Sequence, residues 1–518
     1  MAATRGLTGS AQLLLRGARR VPVGVAGPPR PHTGSADPPL ADPVDILVQG
    51  GRIVAIAPEL PDPGIPVVAA EGRWLLPGLW DHHVHLSQWA RTLTWLDVSG
   101  TSSPSEVVSR VAAALTTSSE PVLTGYGFRS AAWSLQPTVA ELDAVSGDRP
   151  VVLISGDGHN GWLNSVALAM LGVPVRSGAL DELDWFPVFA RLEELPRDKA
   201  VDEAAYREAV RRAGACGVVG ITDMEFGRGY LDWPERAVRG IGGLRVRTAT
   251  YRESLDDVIA RGLRTGDRLL EDSGLLTMGP LKIISDGSLN TRTAYCCEPY
   301  VDQPTNRGKL NVHPAELQEL LAEATAHGLE VAVHAIGDAA VGSALDAFAA
   351  TGARGSIEHA QLVATSDLSR MARLPVIASV QPAHLLDDRD VTSICWPDRA
   401  QRCFPLRSLL TAGVPLAMGS DAPVARLDPW LAMAAAVHRS GDDRSAWNPA
   451  EALTPAEALA ASTCAAGTVA VGSRADLVLV DHDPLAPADN TAIAAAQVRR
   501  TQVSLTVVDG VIVHDVRN

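Results

Sequence analysis

The sequence predicts an α/β protein, a (β/α)8 barrel carrying a small β-domain built from both ends of the chain. Three observations lead there. Paired apolar runs around glycine turns occur at both termini, short apolar runs alternate with amphipathic stretches between them, and polar clusters rich in histidine follow the apolar runs. At 518 residues the chain is too long for one simple core and suits a large domain plus a smaller one.

Taken in order, Gln12 to Val23 reads as a strand entering the fold. Asp45-Ile46-Leu47-Val48 and Arg52-Ile53-Val54-Ala55-Ile56-Ala57 flank Gln49-Gly50-Gly51, a hairpin whose glycines can take the positive φ of a tight turn. Near the other end, Ala475 to Val480 is a strand, and Ser504 to Val508 with Val511 to Val513 flank Asp509-Gly510, a second hairpin. These runs place one β-domain over residues 11–75 and 466–518. The interior, residues 76–465, gives Leu329 to Val333 after a helix at 314–327 and Val376 to Val380 after one at 365–373. Val414 to Met418 follows a helix at 405–412. That rhythm implies a parallel sheet, and a (β/α)8 barrel fits its length with an inserted subdomain within 86–215.

Bulk composition narrows the function. With 46% apolar and 20% charged residues the chain resembles an ordinary globular enzyme. Its 60 acidic against 45 basic residues repel phosphate backbones, so a nucleic-acid partner is not expected. No apolar run reaches membrane-spanning length, and no membrane association is expected. Six cysteines without a Cys-x-x-Cys pair fit free thiols in a reducing compartment. The first 35 residues lack acids and carry arginines, as transit peptides do, yet the strand from Gln12 argues for a cytoplasmic protein.

The sharpest chemical signal is Leu76-Pro77-Gly78-Leu79-Trp80-Asp81-His82-His83-Val84-His85. Alternate residues of a strand share a face, so His83 and His85 can chelate one cation, whereas an isolated His-x-His more often marks a polar strand end. His334 and His359 each follow an apolar strand, 25 residues apart, the spacing of adjacent barrel strands. Asp421 ends the last barrel strand, where it could be a helix N-cap or a carboxylate that binds metal and moves protons. Lys282 lies inside the apolar strand Leu281-Lys282-Ile283-Ile284. Spacing fits a lysine snorkelling at the strand end as well as one carbamylated into an anionic ligand.

These blocks in this order resemble the amidohydrolase superfamily, and within it the branch of N-substituted formamide deformylases and YtcJ-like proteins. Asp157-Gly158-His159 with Trp162 and Asn164, Lys282 to Ala294, Glu358-His359-Ala360 and Gly419-Ser420-Asp421-Ala422-Pro423 extend the resemblance over nearly the whole chain. It implies a distorted TIM (β/α)8 barrel, a terminal β-sandwich, and one or two divalent metals, usually zinc. By matching positions His83, His85 and Asp421 would bind the more buried metal, His334 and His359 the more exposed one, and N6-carboxylated Lys282 would bridge them. The chain departs at Asn290-Thr291, where relatives usually show Gly-Ser before the arginine.

The reaction implied is hydrolysis of a non-peptide C–N bond in a small molecule, an amide, N-formyl amine or cyclic amide. Metal-bound hydroxide, with its pKa brought to ~7, attacks while Asp421 carries the proton to the leaving nitrogen, and Lys282 and His334 complete the catalytic set. His159, Arg292, Gln381 and Trp133 are the candidate substrate contacts, although core packing explains an aromatic such as Trp133 equally. Eleven tryptophans against six phenylalanines lean toward an apolar or aromatic pocket wall. Deamination or another hydrolysis could use the same centre. A non-catalytic scaffold relative would show lost ligands, and a metal- or small-molecule-sequestering protein would not need the aspartate. Homo-oligomers are compatible with the resemblance.

Overall fold

A computed structural model describes residues 12–24, 40, 42–62, 64–130, 133–156, 160–189, 191–196 and 199–517. The chain divides into two compact units, residues 1–86 with 210–518, and residues 87–209.

In the larger unit eight parallel strands form a nearly closed barrel. They are β1 (Leu79–Val84), β2 (Val218–Asp223), β3 (Arg245–Thr250), β4 (Ser273–Ile284), β5 (Val331–Ala335), β6 (Gly355–His359), β7 (Val376–Val380) and β8 (Leu416–Met418), paired in that order. Closure comes just past β8, where Val84 bridges Ala422 in parallel and the Asp421 N–H donates to the His83 carbonyl at 2.6 Å. Each strand is buried along most of its length, as the two-sided cover of a barrel requires. Amphipathic helices supply the outer layer. The one over Pro314–Ala326, for instance, starts on a proline and buries Leu317, Leu320, Leu321 and Ala324 at helical spacing.

Two strands begin later than their apolar runs suggest. The run from Leu329 becomes a strand only at Val331, and the run from Val414 only at Leu416. Both early residues belong to the preceding helix. Gly328 (φ +75°) and Gly413 (φ +91°) turn the chain left-handed, and the next N–H returns to the helix, Leu329 to Ala324 and Val414 to Leu409. That is a Schellman cap, whose last residue is apolar because it packs on the helix end.

The termini build one sheet. Its order is Val511–Asp515, Val503–Val508, Leu477–Val480, Trp74–Pro77, Gln12–Arg20, Val44–Gln49 and Arg52–Ala57, with Val67–Ala69 beside Gln12–Arg20. Leu13, Leu15, Ile46 and Val48 from one end share a single buried cluster with Leu477, Leu479, Leu505 and Val507 from the other. Alternating apolar residues of both chain ends thus share one core.

The unit of residues 87–209 has its own four-stranded sheet, in the order Gly161–Leu163, Val151–Ser155, Leu123–Phe128 and Leu96–Asp97. One of its cores gathers Phe128, Trp133, Leu153 and Trp162.

Candidate metal centre

The C-terminal ends of β1, β4, β5, β6 and β8 bring His83, Lys282, His334, His359 and Asp421 together. Alternation in β1 points His83 and His85 to one side, their rings 5.6 Å apart. Parallel register sets Lys282 opposite Ala332, one side-chain repeat deeper than His334, which lies opposite Ile284; Ala335 in turn faces His359. Close approach of β8 to β1 depends on Gly419, since a Cβ there would lie 2.5 Å from the His83 nitrogen. Asp81 secures the same junction by accepting from the N–H groups of His83 and Ser420 at 3.1 and 2.9 Å. His359 and Asp421 both have positive φ, +70° and +56°, a conformation that costs non-glycine residues energy and is common at working sites.

Hydrogen bonds assign the free electron pairs. His83 Nδ1 lies 2.6 Å from Glu358 Oε2 with both side chains 1% exposed, so Nδ1 carries the proton and Nε2 the lone pair. That Nε2 faces Lys282 Nζ at 3.2 Å and Asp421 Oδ1 at 3.6 Å, and His85 Nε2 is 3.5 Å from the same oxygen. His334 Nε2 lies 3.2 Å from the Gly287 carbonyl and 3.5 Å from Asp286 Oδ1, two acceptors, which leaves the lone pair on Nδ1. Asp286 is itself fixed by the N–H groups of Tyr295, Ile336 and Gly337.

Burial dominates the electrostatics. It lowers His83 and His359 well below the usual imidazole range and takes His85 and His334 to about 3, so all four imidazoles are neutral. Burial likewise lowers Lys282, against the pull of the Glu358 and Asp421 carboxylates. Asp421 is raised by burial to about 7, with Lys282 opposing.

One ligand atom from each of His83, His85 and Asp421 falls within 4.8 Å of the others, and the same holds for His359, His384 and Asp421. Neutral imidazoles and a carboxylate converging in this way are the donor set a divalent cation needs, so the residues fit a metal.

Three of the other expected site residues have described contacts of their own. His159 lies outside the described residues. Arg292 is committed to Asp302, through Nε and a terminal nitrogen at 3.1 Å each, and to the Asn290 carbonyl. Gln381 is buried and donates to the Ser379 carbonyl. Trp133 packs in the core of the 87–209 unit with its indole N–H on the Thr101 carbonyl, a position that packing explains by itself.

Two residues of the cluster were not anticipated as site residues from the sequence. Glu358 stood in the motif beside His359, and its role appears only once β6 is set against β1. His384 sits in a 3-10 turn after β7, Pro382–His384, and Nε2 lies 3.8 Å from Asp421 Oδ2. The signal available was its place four residues past an apolar strand, in Gln381-Pro382-Ala383-His384.

The sequence profile of the amidohydrolase family matches residues 66–514. Protein LONG AFTER FAR-RED 3 of Arabidopsis thaliana is 30% identical, over 86% of this chain and 85% of its own. Putative amidohydrolase YtcJ of Bacillus subtilis is 28% identical (86% and 90%), and an N-substituted formamide deformylase of Arthrobacter pascens 26% (90% and 94%). Among solved structures, an uncharacterized metal-dependent hydrolase from Pyrococcus furiosus superposes with a TM-score of 0.76 at 26% identity, covering 92% of this chain and all of that one.

Proposed function

The chain belongs to the amidohydrolase family of metal-dependent hydrolases, and from that premise we propose that it cleaves a non-peptide C–N bond in a small molecule, with Asp421 as the proton carrier. An amide, N-formyl amine or cyclic amide is the substrate class. The observation that carries this reading is the placement of Asp421, a buried carboxylate with one oxygen facing His83 and His85 and the other facing His384.

A divalent cation held by these donors, zinc in this reading, would supply a water of pKa ~7 and a Lewis acid for the scissile carbonyl. Asp421 takes the water proton as attack proceeds and returns it to the departing nitrogen, which otherwise would have to leave as an amide anion. Glu358 holds His83 in one tautomer throughout. Lys282, buried and drawn toward its neutral amine, is in the form that adds carbon dioxide, which supports N6-carboxylation there. The similarity to an N-substituted formamide deformylase supports amide-type substrates.

Asp421→Asn tests the reading. On a panel of N-formyl amines, linear amides and cyclic amides, assayed for formate, carboxylate and ammonia, wild type should turn over at least one class. The variant should lose about 10²–10⁴-fold in kcat. Ammonia released without an accompanying carboxylate would instead identify a deaminase, and an inert wild type across the panel would remove the hydrolytic reading.

A further inference from the structure

We infer that His384 is a protein ligand of a second cation position at this centre, and that Asp421 gives one carboxylate oxygen to each of two positions. The inference rests on the metal-dependent reading above and adds a residue to it.

The neighbours of His384 fix its tautomer. Its ring donates to the Ser420 backbone carbonyl, and its Nε2 is buried with no hydrogen-bond partner among the described residues. The donor is therefore Nδ1, and the unpartnered Nε2 carries the lone pair. A bare acceptor out of water is costly unless something meets it, and none of the described residues does.

What it faces makes the cost larger. Nε2 lies 3.8 Å from Asp421 Oδ2, a second acceptor, and the His384 and His359 rings stack with centroids 6.2 Å apart. One ligand atom from each of His359, His384 and Asp421 falls within a common 4.8 Å. Three groups able to offer an electron pair converge here, and a cation between them would turn their mutual repulsion into attraction. The opposite oxygen of the same carboxylate, Oδ1, already faces the lone pair of His83 and Nε2 of His85. The two triads therefore meet at Asp421 and use different oxygens of it.

The local backbone is built for this convergence. His359 ends β6 and Asp421 follows β8, both in left-handed conformations, while the Pro382–His384 turn projects from β7 between them in strand order. His334 stands 4.5 Å from His359, ring to ring, with its Nδ1 lone pair uncommitted, so it remains available to the same position.

Metal titration of the full-length protein tests the inference directly. Wild type freed of metal and titrated with cobalt(II) is expected to take two equivalents. His384→Ala should keep the first and bind the second more weakly by at least about tenfold, since even residues that only orient ligands cost 10–100-fold. His384→Cys guards against a variant that misfolds, because a thiolate at the position should give a thiolate-to-cobalt charge-transfer band absent from wild type. Two equivalents in wild type, with unchanged second-site affinity in the alanine variant and no band in the cysteine variant, would overturn this inference alone. A single equivalent in wild type would also overturn it, because the second position would not exist. No binding at all would remove the metal-dependent reading together with it.

Discussion

His83 shows how one residue's role is set by a neighbour far away in sequence. Glu358 fixes the proton on Nδ1, which turns the lone pair of Nε2 toward Lys282 and Asp421. Ser356 in turn donates to the other oxygen of Glu358, so the carboxylate is held from both sides. Glu358→Gln weakens the charge-assisted hydrogen bond and lets the amide present either its oxygen or its NH2 to the ring. We expect metal affinity to fall about 10–100-fold with secondary structure intact, read as a shift in the metal-binding isotherm beside an unchanged far-ultraviolet circular dichroism spectrum. The histidine pair in β1 was legible because a strand repeats every two residues, so spacing alone places His83 and His85 on one side. His384 was not legible by any such rule. It lies beyond the end of its strand in a 3-10 turn, where neither period applies, and only the folded chain brings it to Asp421. The pairing of Arg292 with Asp302, ten residues on, was likewise invisible to any local period.

Among the elements, the helices that cover the barrel were readable and their junctions less so. Val376–Val380 occupies its apolar run without offset, whereas Leu329 and Val414 read as strand but serve as the apolar last residues of Schellman caps. Hydrophobicity reports burial and is silent on whether burial is against a sheet or against a helix end. Opposite ends of helices carry comparable devices. At Pro455–Ala461, Thr454 and Glu457 form a capping box, and Glu457 also receives Arg407 through both of its oxygens. The Arg407 contact is the largest of the influences that take Glu457 down to about 2 from 4.5. An acid with a folded pKa below its unfolded one stabilises the protein fully above the unfolded value and loses that contribution as pH falls toward the folded one. Glu457→Gln retains the box geometry and removes only the charge. It should cost about 1 kcal/mol at pH 7, a figure already reduced because the carboxylate is one-third exposed and screened. Measured by urea unfolding, the gap between wild type and variant should close between pH 4.5 and 2. A gap that persists at pH 2 would assign the effect to packing instead.

At the scale of the whole larger unit, the question is what makes the terminal sheet and the barrel one body. The sequence showed that both chain ends supply strands, because the hairpin texture repeats, yet it could not show how those strands attach to the barrel. Arg245, the first residue of β3, is one polar attachment, beside the Thr506 hydroxyl that donates to the Gly214 carbonyl. The Arg245 Nε donates to Asp476 at 2.7 Å and a terminal nitrogen to Asp509 at 2.7 Å, joining a barrel strand to the strand entry and hairpin turn of the C-terminal sheet. Asp476 also accepts the Asp509 N–H, which ties the turn to the same point. Arg245 and Asp476 are 8% and 11% exposed, so removing the arginine strands a carboxylate that water barely reaches, while the half-exposed Asp509 recovers solvent. Losing one partner of a buried pair costs 3–5 kcal/mol, and the exposure of Asp509 brings the expected cost of Arg245→Met to about 2–3 kcal/mol. Asp476→Asn should cost less, since the amide can still accept from Arg245. Once Arg245 is gone the carboxylate at 476 becomes a liability, and neutralising it should recover part of the loss. The double variant is therefore expected to be more stable than the sum of the two single losses, by more than the 0.3–0.5 kcal/mol within which independent sites add. Urea midpoints on metal-loaded protein provide the measurement. Strict additivity would mean that the bridge is incidental and that the remaining contacts join the sheet to the barrel. Subadditive losses would locate one join at Arg245.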